Sequence, residues 1–447
     1  MSNVRVRIAP SPTGYFHIGT ARTALFNYLF AKKHDGAFIL RIEDTDKERG
    51  KKEYEDDIYE ELQWLGLTYD EKYVQSEHVG KHKELLKKLV DSDKAYISKE
   101  PAKDDATRSV EVVRLRNPGT VIIFNDVVRG DISFDTAELK DFVIARSIDD
   151  PLYHFAVVAD DGEAGITHVI RGEDHISNTP RQILIQEALG LPRPIYAHLP
   201  LILAPDKTKM SKRKHQTSVK DFRAKGFLPE AMINFMALLG WSAGEGDKEI
   251  YSMEELIEAF SLENIHKGGA IFNEEKLQWF NKEYLRRIPA GEFENKALEM
   301  LKESLTERVS WNETVAHTII PMLKERITTW DDIRTSAAAG EFDYYFQCPE
   351  LDAAQLPDRK SDAAAAARHL EKAAQLLQEI PESDFTSAAV HTALWDYATE
   401  EGRGAVLWPI RYALSGREKS PDPFELASIL GKNEALGRLH LAHDILK

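Results

Sequence analysis

Two short segments of the chain combine residue types that suit phosphate chemistry. The first, residues 10–20 (PSPTGYFHIGT), contains His17 and Gly19. Histidine can donate a hydrogen bond to a phosphoryl oxygen, and glycine lets a nucleotide approach the backbone closely. A His-x-Gly pair is a weak signal by itself. It gains weight where a strand passes into a helix, because the free backbone N–H groups at a helix N-terminus bind phosphate well.

The second segment, residues 207–214, is strongly basic, since five of its eight residues are Lys or Arg. Most charge runs of this kind are solvated surface loops without a special role. A loop around residues 209–213 (KMSKR) could instead clamp a triphosphate and neutralise the charge that builds as pyrophosphate leaves. The residues alone leave both interpretations open.

The pattern around the first segment predicts a nucleotide-binding βαβ unit. Residues 4–10 alternate as a strand does and end in a turn rich in proline and glycine. A helix follows from about Thr20, with Gly36 as its predicted C-cap. Residues 38–42 form the next strand, which ends in the acidic run 43–46. A strand, a glycine-bearing loop, a helix and a strand are typical of the start of a nucleotide-binding fold.

Farther along the chain, short β segments between about residues 76 and 150 indicate an insertion in this fold. Parallel βα character returns with a strand over 167–171 and a helix opened by residues 179–182 (TPRQ), which read as a capping box with proline at the first helical position. A strand over 195–203 follows, and we predict only helices beyond about residue 218. The fold class is therefore α/β: a Rossmann-type parallel-sheet domain with an α/β insertion, followed by helical C-terminal domains.

Composition limits the class of protein. A length of 447 residues suits about three domains, and 43% hydrophobic with 30% charged residues is typical of soluble globular proteins. No apolar run is long enough to span a bilayer and the N-terminus lacks a secretory signal, so we expect a cytoplasmic protein without a membrane partner. Cys348 is the single cysteine, which excludes an intrachain disulfide and disfavours zinc. The net charge of the whole chain, −16, argues against nucleic-acid binding. One basic face would nevertheless suffice to bind a nucleic acid.

The two phosphate-binding segments together resemble the two signatures of class I aminoacyl-tRNA synthetases, in the correct order and about 190 residues apart. The surrounding sequence resembles bacterial-type glutamyl-tRNA synthetases more specifically. The segments that carry this resemblance are residues 7–14 (RIAPSPTG), 41–46 (RIEDTD), 169–175 (VIRGEDH), 178–182 (NTPRQ) and 226–231 (GFLPEA). The resemblance is dense from residue 4 to about residue 290 and continues more thinly to the C-terminus.

The resemblance implies a glutamate pocket lined by Arg7, Ala9, Ser11, Glu43, Tyr153 and Arg171. Glu43 would hold the α-ammonium group, and Arg7 is the leading candidate for distinguishing glutamate from glutamine. A guanidinium suits this task because it can bind both oxygens of a carboxylate. Without the family context, Arg7 would be read as a surface arginine, Arg171 as half of an ordinary ion pair and Tyr153 as a core residue.

The resemblance also implies an ATP site and a catalytic set. The ATP site comprises His17, Gly19, Thr20, Asp174, the backbone of Ile202, Lys209, Ser211 and Lys212. The catalytic set is His17, Gly19, Lys212 and Arg213.

Two positions depart from the family pattern. Val157 stands where family members often carry asparagine, four residues after the pocket tyrosine. Many relatives also have a cysteine cluster and a long helical stretch after the tyrosine that corresponds to Tyr96, whereas this chain moves to β structure. The first departure affects one polar contact to glutamate, and the second affects how the tRNA acceptor end is held.

The implied activity is that of a glutamate–tRNA ligase. It activates L-glutamate with ATP to glutamyl-adenylate and transfers the glutamyl group to the 3′ end of tRNA(Glu), releasing AMP and diphosphate. Mg²⁺ is expected with the triphosphate, zinc is not expected, and the family is usually monomeric. In the helical region, Arg326 aligns with an arginine that some relatives use to inspect the third anticodon base; its simpler interpretation is a helix-surface arginine paired with Glu325 or a nearby acid.

The implied domain division has six segments. We expect the two halves of a catalytic Rossmann-type domain at 1–75 and 154–204, an acceptor-stem-binding insertion at 76–153, a signature-loop and stem-contact domain at 205–290, and two parts of a helical anticodon-binding domain at 291–348 and 349–447.

Four alternatives to this interpretation remain open from the residues. A non-discriminating form would also charge tRNA(Gln). Glutaminyl-tRNA synthetases usually show Pro-Glu-Pro-Asn-Gly where this chain has PSPTG, and a tRNA-modifying paralogue normally lacks the helical C-terminal half. A catalytically inactive RNA-binding paralogue would have no need of His17, Gly19, Lys212 and Arg213.

Overall fold

The computed structural model describes residues 4–46, 48–101, 108–208, 210, 217–244, 246 and 248–447. The chain divides into two compact units, which are residues 1–284 and residues 285–447. The first unit is α/β and the second is helical throughout its regular elements.

The first unit opens with the predicted βαβ unit. Its elements are β1 (Arg5–Ile8), α1 (Ile18–Lys33), β2 (Ala37–Ile42), α2 (Lys52–Trp64), β3 (Glu71–Val74) and α3 (Val79–Asp91). The three strands form a parallel sheet in the order β1-β2-β3. The helix starts two residues before the predicted Thr20 and its C-cap is His34, so the prediction of Gly36 as C-cap was wrong. Glycine is needed at position 36 for another reason: a Cβ there would collide with the backbone oxygen of Val4.

An antiparallel region interrupts this fold, as the short β segments predicted. Its strands are β4 (Ala95–Pro101), β5 (Ser109–Leu115), β6 (Val121–Asp126), β7 (Gly130–Asp135), β8 (Phe142–Ser147) and β9 (Asp150–Pro151), and α4 (Tyr153–Glu163) follows. Strands β4, β5, β8 and β9 form one antiparallel sheet, in that order. The β6–β7 hairpin belongs elsewhere, because the end of β6 pairs with the next part of the parallel fold.

The remaining elements of the first unit are β10 (His168–Gly172), α5 (Thr179–Leu189), β11 (Ile195–Leu199), β12 (Ile202–Leu203), α6 (Val219–Ala224), α7 (Pro229–Leu238), α8 (Met253–Ala259), β13 (Ala270–Ile271) and α9 (Glu274–Arg287). Strands β10 and β11 run parallel in a sheet of order β10-β11-β6-β7. Hydrogen bonds between Arg5 and Thr167 link this sheet to β1.

Three local expectations from the sequence need correction. The strand predicted over 195–203 is broken into β11 and β12 around Pro200. The two-residue strand β13 pairs with β12, so the region beyond residue 218 is not purely helical. Thr179 is the first residue of α5 rather than its cap, and the preceding Asn178 makes no side-chain capping bond. The predicted capping box is therefore absent from α5, all of which the structure describes. The Thr179 hydroxyl contacts another side chain instead.

Helix α1 lies at the centre of the first unit. It is apolar on almost every side, and its Leu25, Phe26 and Leu29 are completely buried. A helix of this kind must be covered all round. It packs against β1 and β2 on one side and against α7 and α8 on another. This burial holds the loop before α1 at the edge of the sheet.

The second unit is built from α10 (Ala290–Leu305), α11 (Glu313–Arg326), α12 (Asp331–Ala338), α13 (Asp343–Phe346), α14 (Ala363–Gln378), α15 (Ser387–Glu401), α16 (Arg403–Ser415), α17 (Pro423–Leu430) and α18 (Lys432–Ile445). The alanine-rich stretch is α14, which Asp362 caps and which packs against α16 and α18. Within the described ranges, none of the helices combines the length and the apolar character needed to cross a membrane. The predicted class, a Rossmann-type α/β domain with a helical C-terminal region, is confirmed.

Candidate active site

A cavity of about 640 Å³ lies where β1, β2 and β10 reach their carboxyl ends, at the edge of a parallel sheet that usually binds ligands. It brings together eleven residues that the sequence predicted for the site. These are Arg7, Ala9, Ser11, His17, Gly19, Thr20, Glu43, Tyr153, Arg171, Asp174 and Ile202. The other four residues predicted for this site, Lys209, Ser211, Lys212 and Arg213, lie outside the described residues.

His17 caps the N-terminus of α1 at one end of the cavity. Its Nδ1 accepts hydrogen bonds from the backbone N–H groups of Gly19 (3.1 Å) and Thr20 (3.3 Å). An accepting Nδ1 leaves the ring proton on Nε2, which lies 3.0 Å from the Thr20 hydroxyl. A Cβ on Gly19 would come within 3.0 Å of the imidazole, so glycine is needed for this close fold of the ring. The Nε2 proton is therefore directed at the Thr20 hydroxyl, and the imidazole and this hydroxyl both line the cavity at the helix N-terminus.

Four buried charged side chains lie together beside the cavity, and two of them, Arg7 and Glu43, line it. The Arg7 Nε donates to Asp161 Oδ1 (3.1 Å), and Arg41 Nη1 donates to the same oxygen (2.5 Å). Arg41 also donates to Glu43 Oε1 through Nε (3.3 Å) and Nη2 (3.1 Å). Arg7, Arg41, Glu43 and Asp161, which we call the charge quartet, carry two positive and two negative charges. Their interactions are strong because all four side chains are nearly inaccessible to water.

The protonation of the two acids follows from this arrangement. Burial alone would raise the pKa of Asp161, but the charges of Arg7 and Arg41 and their hydrogen bonds outweigh it, and the pKa lies below its ordinary value. Burial raises the pKa of Glu43, and the charges of Arg41 and Arg7 oppose that effect. Asp161 is therefore the firmly ionised member of the charge quartet.

Arg171 is held differently. Its Nε donates to His198 Nε2 (3.1 Å) and its Nη2 donates to the Thr179 hydroxyl (2.8 Å). Both acceptors are neutral groups, and within the described part of the chain no carboxylate forms an ion pair with this guanidinium. Burial lowers the pKa of Arg171, and the nearby charge of Arg7 lowers it further. Arg171 thus presents to the cavity a buried positive charge that has no ion-pair partner among the described residues.

Comparisons with known proteins agree over the whole chain. Residues 3–105 and 97–279 match the family model for the catalytic domain of class I tRNA synthetases (E and Q), and residues 274–443 match that for an anticodon binding domain. The glutamate–tRNA ligase of Thermodesulfovibrio yellowstonii is 39% identical, with 99% of each chain covered. That of Carboxydothermus hydrogenoformans is 40% identical, covering 98% of this chain and 99% of the relative. The chain belongs to the glutamate–tRNA ligase family.

Solved structures of this family share the fold. A glutamate–tRNA ligase from Elizabethkingia meningosepticum, crystallised in complex with its amino acid, superposes with a TM-score of 0.84 at 32% identity over 100% of both chains. The enzyme from Elizabethkingia anophelis gives 0.83 at 32% identity, covering 99% of this chain and 100% of the other. The predictions of family, fold class and enzyme class are confirmed, and membership of this class implies the use of ATP.

The structure places Val157, the position where the resemblance predicts a departure from the family pattern, in helix α4. Tyr153, Val157 and Asp161 lie four residues apart and share one face of α4. Tyr153 lines the cavity and its hydroxyl lies 3.2 Å from His175 Nδ1. Val157 is buried and does not line the cavity, so this helix position offers no polar contact there.

Sequence reasoning missed two groups of residues around the site. The first is Asp161 and Arg41, which complete the charge quartet. For Asp161, the available signal was an acidic pair that follows the apolar run 155–159 within one helix. The second is His198 and Asp126, which are both completely buried and joined by a 2.6 Å contact. Their pairing has no local signal because 72 residues separate them.

Arg326 lies in the second unit, as the last residue of α11. Its side chain is half exposed and its Nη2 donates to Glu425 Oε2 at 3.4 Å. The neighbouring Glu325 pairs with Arg286 instead, at 3.1 Å. A contact of Arg326 with an anticodon base stays a prediction.

Proposed function

We propose that this chain activates L-glutamate with ATP to glutamyl-adenylate and transfers the glutamyl group to the 3′ end of tRNA(Glu), releasing AMP and diphosphate. The observation that carries the glutamate assignment is the buried charge of Arg171 in the cavity, which has no ion-pair partner among the described residues. A substrate carboxylate repays the desolvation of a buried guanidinium, whereas the neutral amide of glutamine leaves that charge unpaired.

Arg171, rather than Arg7, is the leading candidate for distinguishing glutamate from glutamine. The charge of Arg7 is already matched by Asp161. Arg7 still contributes to the positive potential of the pocket, since it affects the pKa of Arg171. Ala9 and Ser11 would line the same pocket, and Tyr153 would close it from α4.

Glu43 is positioned to hold the α-ammonium group of the substrate. It follows β2 directly and lines the cavity. Its contacts with Arg41 use Oε1, so the second oxygen can serve a substrate N–H. An ammonium group close by would also favour the ionised form of this carboxyl, against the effect of burial.

ATP would bind at the other end of the cavity. His17 Nε2 and the backbone of Gly19 and Thr20 would meet the phosphates at the N-terminus of α1. Asp174 and the backbone of Ile202 line the same cavity and would hold the nucleoside. Lys209, Ser211, Lys212 and Arg213 would neutralise the triphosphate, and Mg²⁺ would enter with ATP, bound mainly by phosphate and water oxygens.

The reaction needs no protein nucleophile. The α-carboxylate of glutamate attacks the α-phosphorus of ATP, the P–O bond to the diphosphate breaks, and diphosphate leaves. A ribose hydroxyl at the 3′ end of the tRNA then attacks the adenylate carbonyl, and AMP leaves. The contribution of the protein is therefore positioning and stabilisation of developing charge.

Further proposals concern the whole molecule. The six-segment division predicted from the sequence would place the acceptor stem on residues 76–153 and the anticodon on residues 291–447. We propose a cytoplasmic monomer that contains no zinc, which metal analysis of purified protein tests directly. We also propose that tRNA(Glu) is charged in preference to tRNA(Gln), with Arg326 reading the third anticodon base. Equal charging of both tRNAs by the wild type would contradict this preference.

Exchange of labelled pyrophosphate into ATP tests the proposed function, with glutamate or glutamine and with or without tRNA(Glu). Wild-type protein should support exchange with glutamate only. Arg171→Met should lower kcat/KM for glutamate by about 10²-fold or more and leave the KM for ATP unchanged, because a buried carboxylate–guanidinium contact is lost. Arg146→Met, at an exposed arginine paired with Asp150, is the matched control. Full activity of Arg171→Met would refute the role of this residue.

A further inference from the structure

Two buried residues that do not line the cavity, His198 and Asp126, anchor the guanidinium of Arg171. Arg171 Nε donates to His198 Nε2 (3.1 Å), and His198 Nδ1 lies 2.6 Å from Asp126 Oδ2. The side chains of His198 and Asp126 are completely inaccessible to water. The order of groups is therefore carboxylate, imidazole, guanidinium, with only the last reaching the cavity.

The hydrogen bonds determine the protonation state of the imidazole. Nε2 can accept from Arg171 only if it carries no proton, so the ring proton lies on Nδ1 and is donated to Asp126. Asp126 is itself fixed by backbone donors, since Oδ1 accepts from Val128 N (3.0 Å) and Arg129 N (2.9 Å). Burial lowers the pKa of His198, opposed by its bond to Asp126, and keeps the ring neutral.

A neutral imidazole orients Arg171 without cancelling its charge. A carboxylate in direct contact would orient it equally well but would neutralise it, and the pocket would then lose its preference for an anionic substrate. We propose that Asp126 and His198 are positioning residues for glutamate selection: Asp126 sets the tautomer of His198, and His198 holds the Arg171 guanidinium towards the substrate while leaving it positively charged. This inference rests on the proposed function of Arg171 in binding the glutamate side chain.

The contacts between Asp126, His198 and Arg171 also connect the insertion to the glutamate pocket. Asp126 is the last residue of β6, and it pairs with Tyr196 of β11. In the turn that follows, Arg129 donates to the carbonyl oxygens of His198 (3.3 Å) and Lys267 (2.7 Å). The β6–β7 hairpin is thus attached to the strand that carries His198, and its displacement would move Arg171.

Three variants test the proposal by comparing the KM for glutamate with the KM for ATP in pyrophosphate exchange with tRNA(Glu) present. Asp126→Asn keeps the shape but lets an amide N–H donate to Nδ1, which moves the ring proton to Nε2, against Arg171. His198→Leu removes the acceptor, and His198→Gln offers an amide oxygen in its place. We expect Asp126→Asn and His198→Leu to raise the KM for glutamate roughly tenfold to hundredfold, as loss of a buried bond to a charged group does. His198→Gln should recover part of the loss.

The matched control is His369→Leu in the second unit. His369 is also buried, and its Nδ1 lies 2.7 Å from the Tyr397 hydroxyl. This variant should lower thermal stability without changing the KM for glutamate. If His198→Leu does not fold, the isosteric Asp126→Asn decides the question.

Two results would overturn the proposal: an unchanged KM for glutamate in Asp126→Asn, or an equal rise in the KM values for glutamate and ATP. Absence of glutamate-dependent exchange in the wild type would instead refute the proposed function.

Discussion

Replacement of Asp161 by asparagine tests whether the charge quartet holds the glutamate pocket together. The asparagine oxygen can still accept a hydrogen bond, so the change removes charge while keeping shape. Arg41 keeps Glu43 as a partner. Arg7 loses its one ion pair within the described residues, and its buried guanidinium keeps only the longer-range interaction with Glu43.

The expected loss of stability follows from burial. The side chain of Asp161 is 8% exposed, and those of Arg7 and Arg41 are 5% and 2% exposed. Removing one partner of a buried ion pair costs about 3–5 kcal/mol. In a unit of this size, such a loss corresponds to a fall in Tm of roughly 6–20 °C.

Thermal unfolding of wild type and variant measures this difference. Asp150→Asn is the control, because Asp150 forms an ion pair with Arg146 at 3.0 Å in which both side chains are exposed. Its loss should cost less than about 1 kcal/mol. A fall in Tm for Asp161→Asn no larger than that of the control would refute the reasoning.

The pH dependence gives a second check. The pKa of Asp161 lies below its ordinary value, so its contribution to stability is complete above the unfolded pKa and is lost as pH falls through the folded pKa. The difference between wild type and variant should therefore be constant near neutral pH and shrink below about pH 4.

Three further outcomes are expected. Lys212→Ala should lower kcat about 10²–10³-fold with little change in the KM for glutamate, because its charge acts mainly in the transition state; an unchanged single-turnover rate of adenylate formation would exclude that role. Gly36→Ala should lower Tm because the added Cβ would meet the Val4 carbonyl oxygen. Gly437→Ala, in open space on α18, should instead stabilise the protein by about 0.5–1 kcal/mol, and calorimetry compares the two variants. Burial lowers the pKa of His175 to about 4, so the KM for glutamate should be flat between about pH 6 and 8; an ionisation near pH 6.5 that His175→Asn removes would contradict this.

The sequence predicts the parts of the site that are local in the chain. A strand, a turn and a helix cap suffice to place His17 and Gly19 together at a helix N-terminus. The acidic run after β2 likewise places Glu43 at the sheet edge. These predictions succeed because backbone geometry over a few residues determines where each side chain can lie.

The partners of the pocket arginines could not be predicted in this way. Arg41 and Asp161 are 120 residues apart and meet only when α4 packs against the end of β2. The contact made by the Thr179 hydroxyl could not be predicted from the local sequence either. Its sequence context favours a capping bond, but in the fold it contacts Arg171. Tertiary contacts of buried polar groups outweigh local preferences because an unsatisfied buried charge costs more than a helix cap contributes.

If Arg171 selects the carboxylate of glutamate, as proposed, this selection depends on residues that need not touch the substrate. If Asp161 were absent, Arg7 and Arg171 would both carry unbalanced charge, and the pocket would attract any anion. If an acid stood in the place of His198, Arg171 would be neutralised, and glutamine would bind about as well as glutamate. In this structure Asp161 balances Arg7, and a neutral His198 orients Arg171. By this proposal, Arg171 has no ion pair among the described residues and meets the one negative charge by which the side chain of glutamate differs from that of glutamine. The discrimination then depends on the groups that surround the arginines as well as on the arginines themselves.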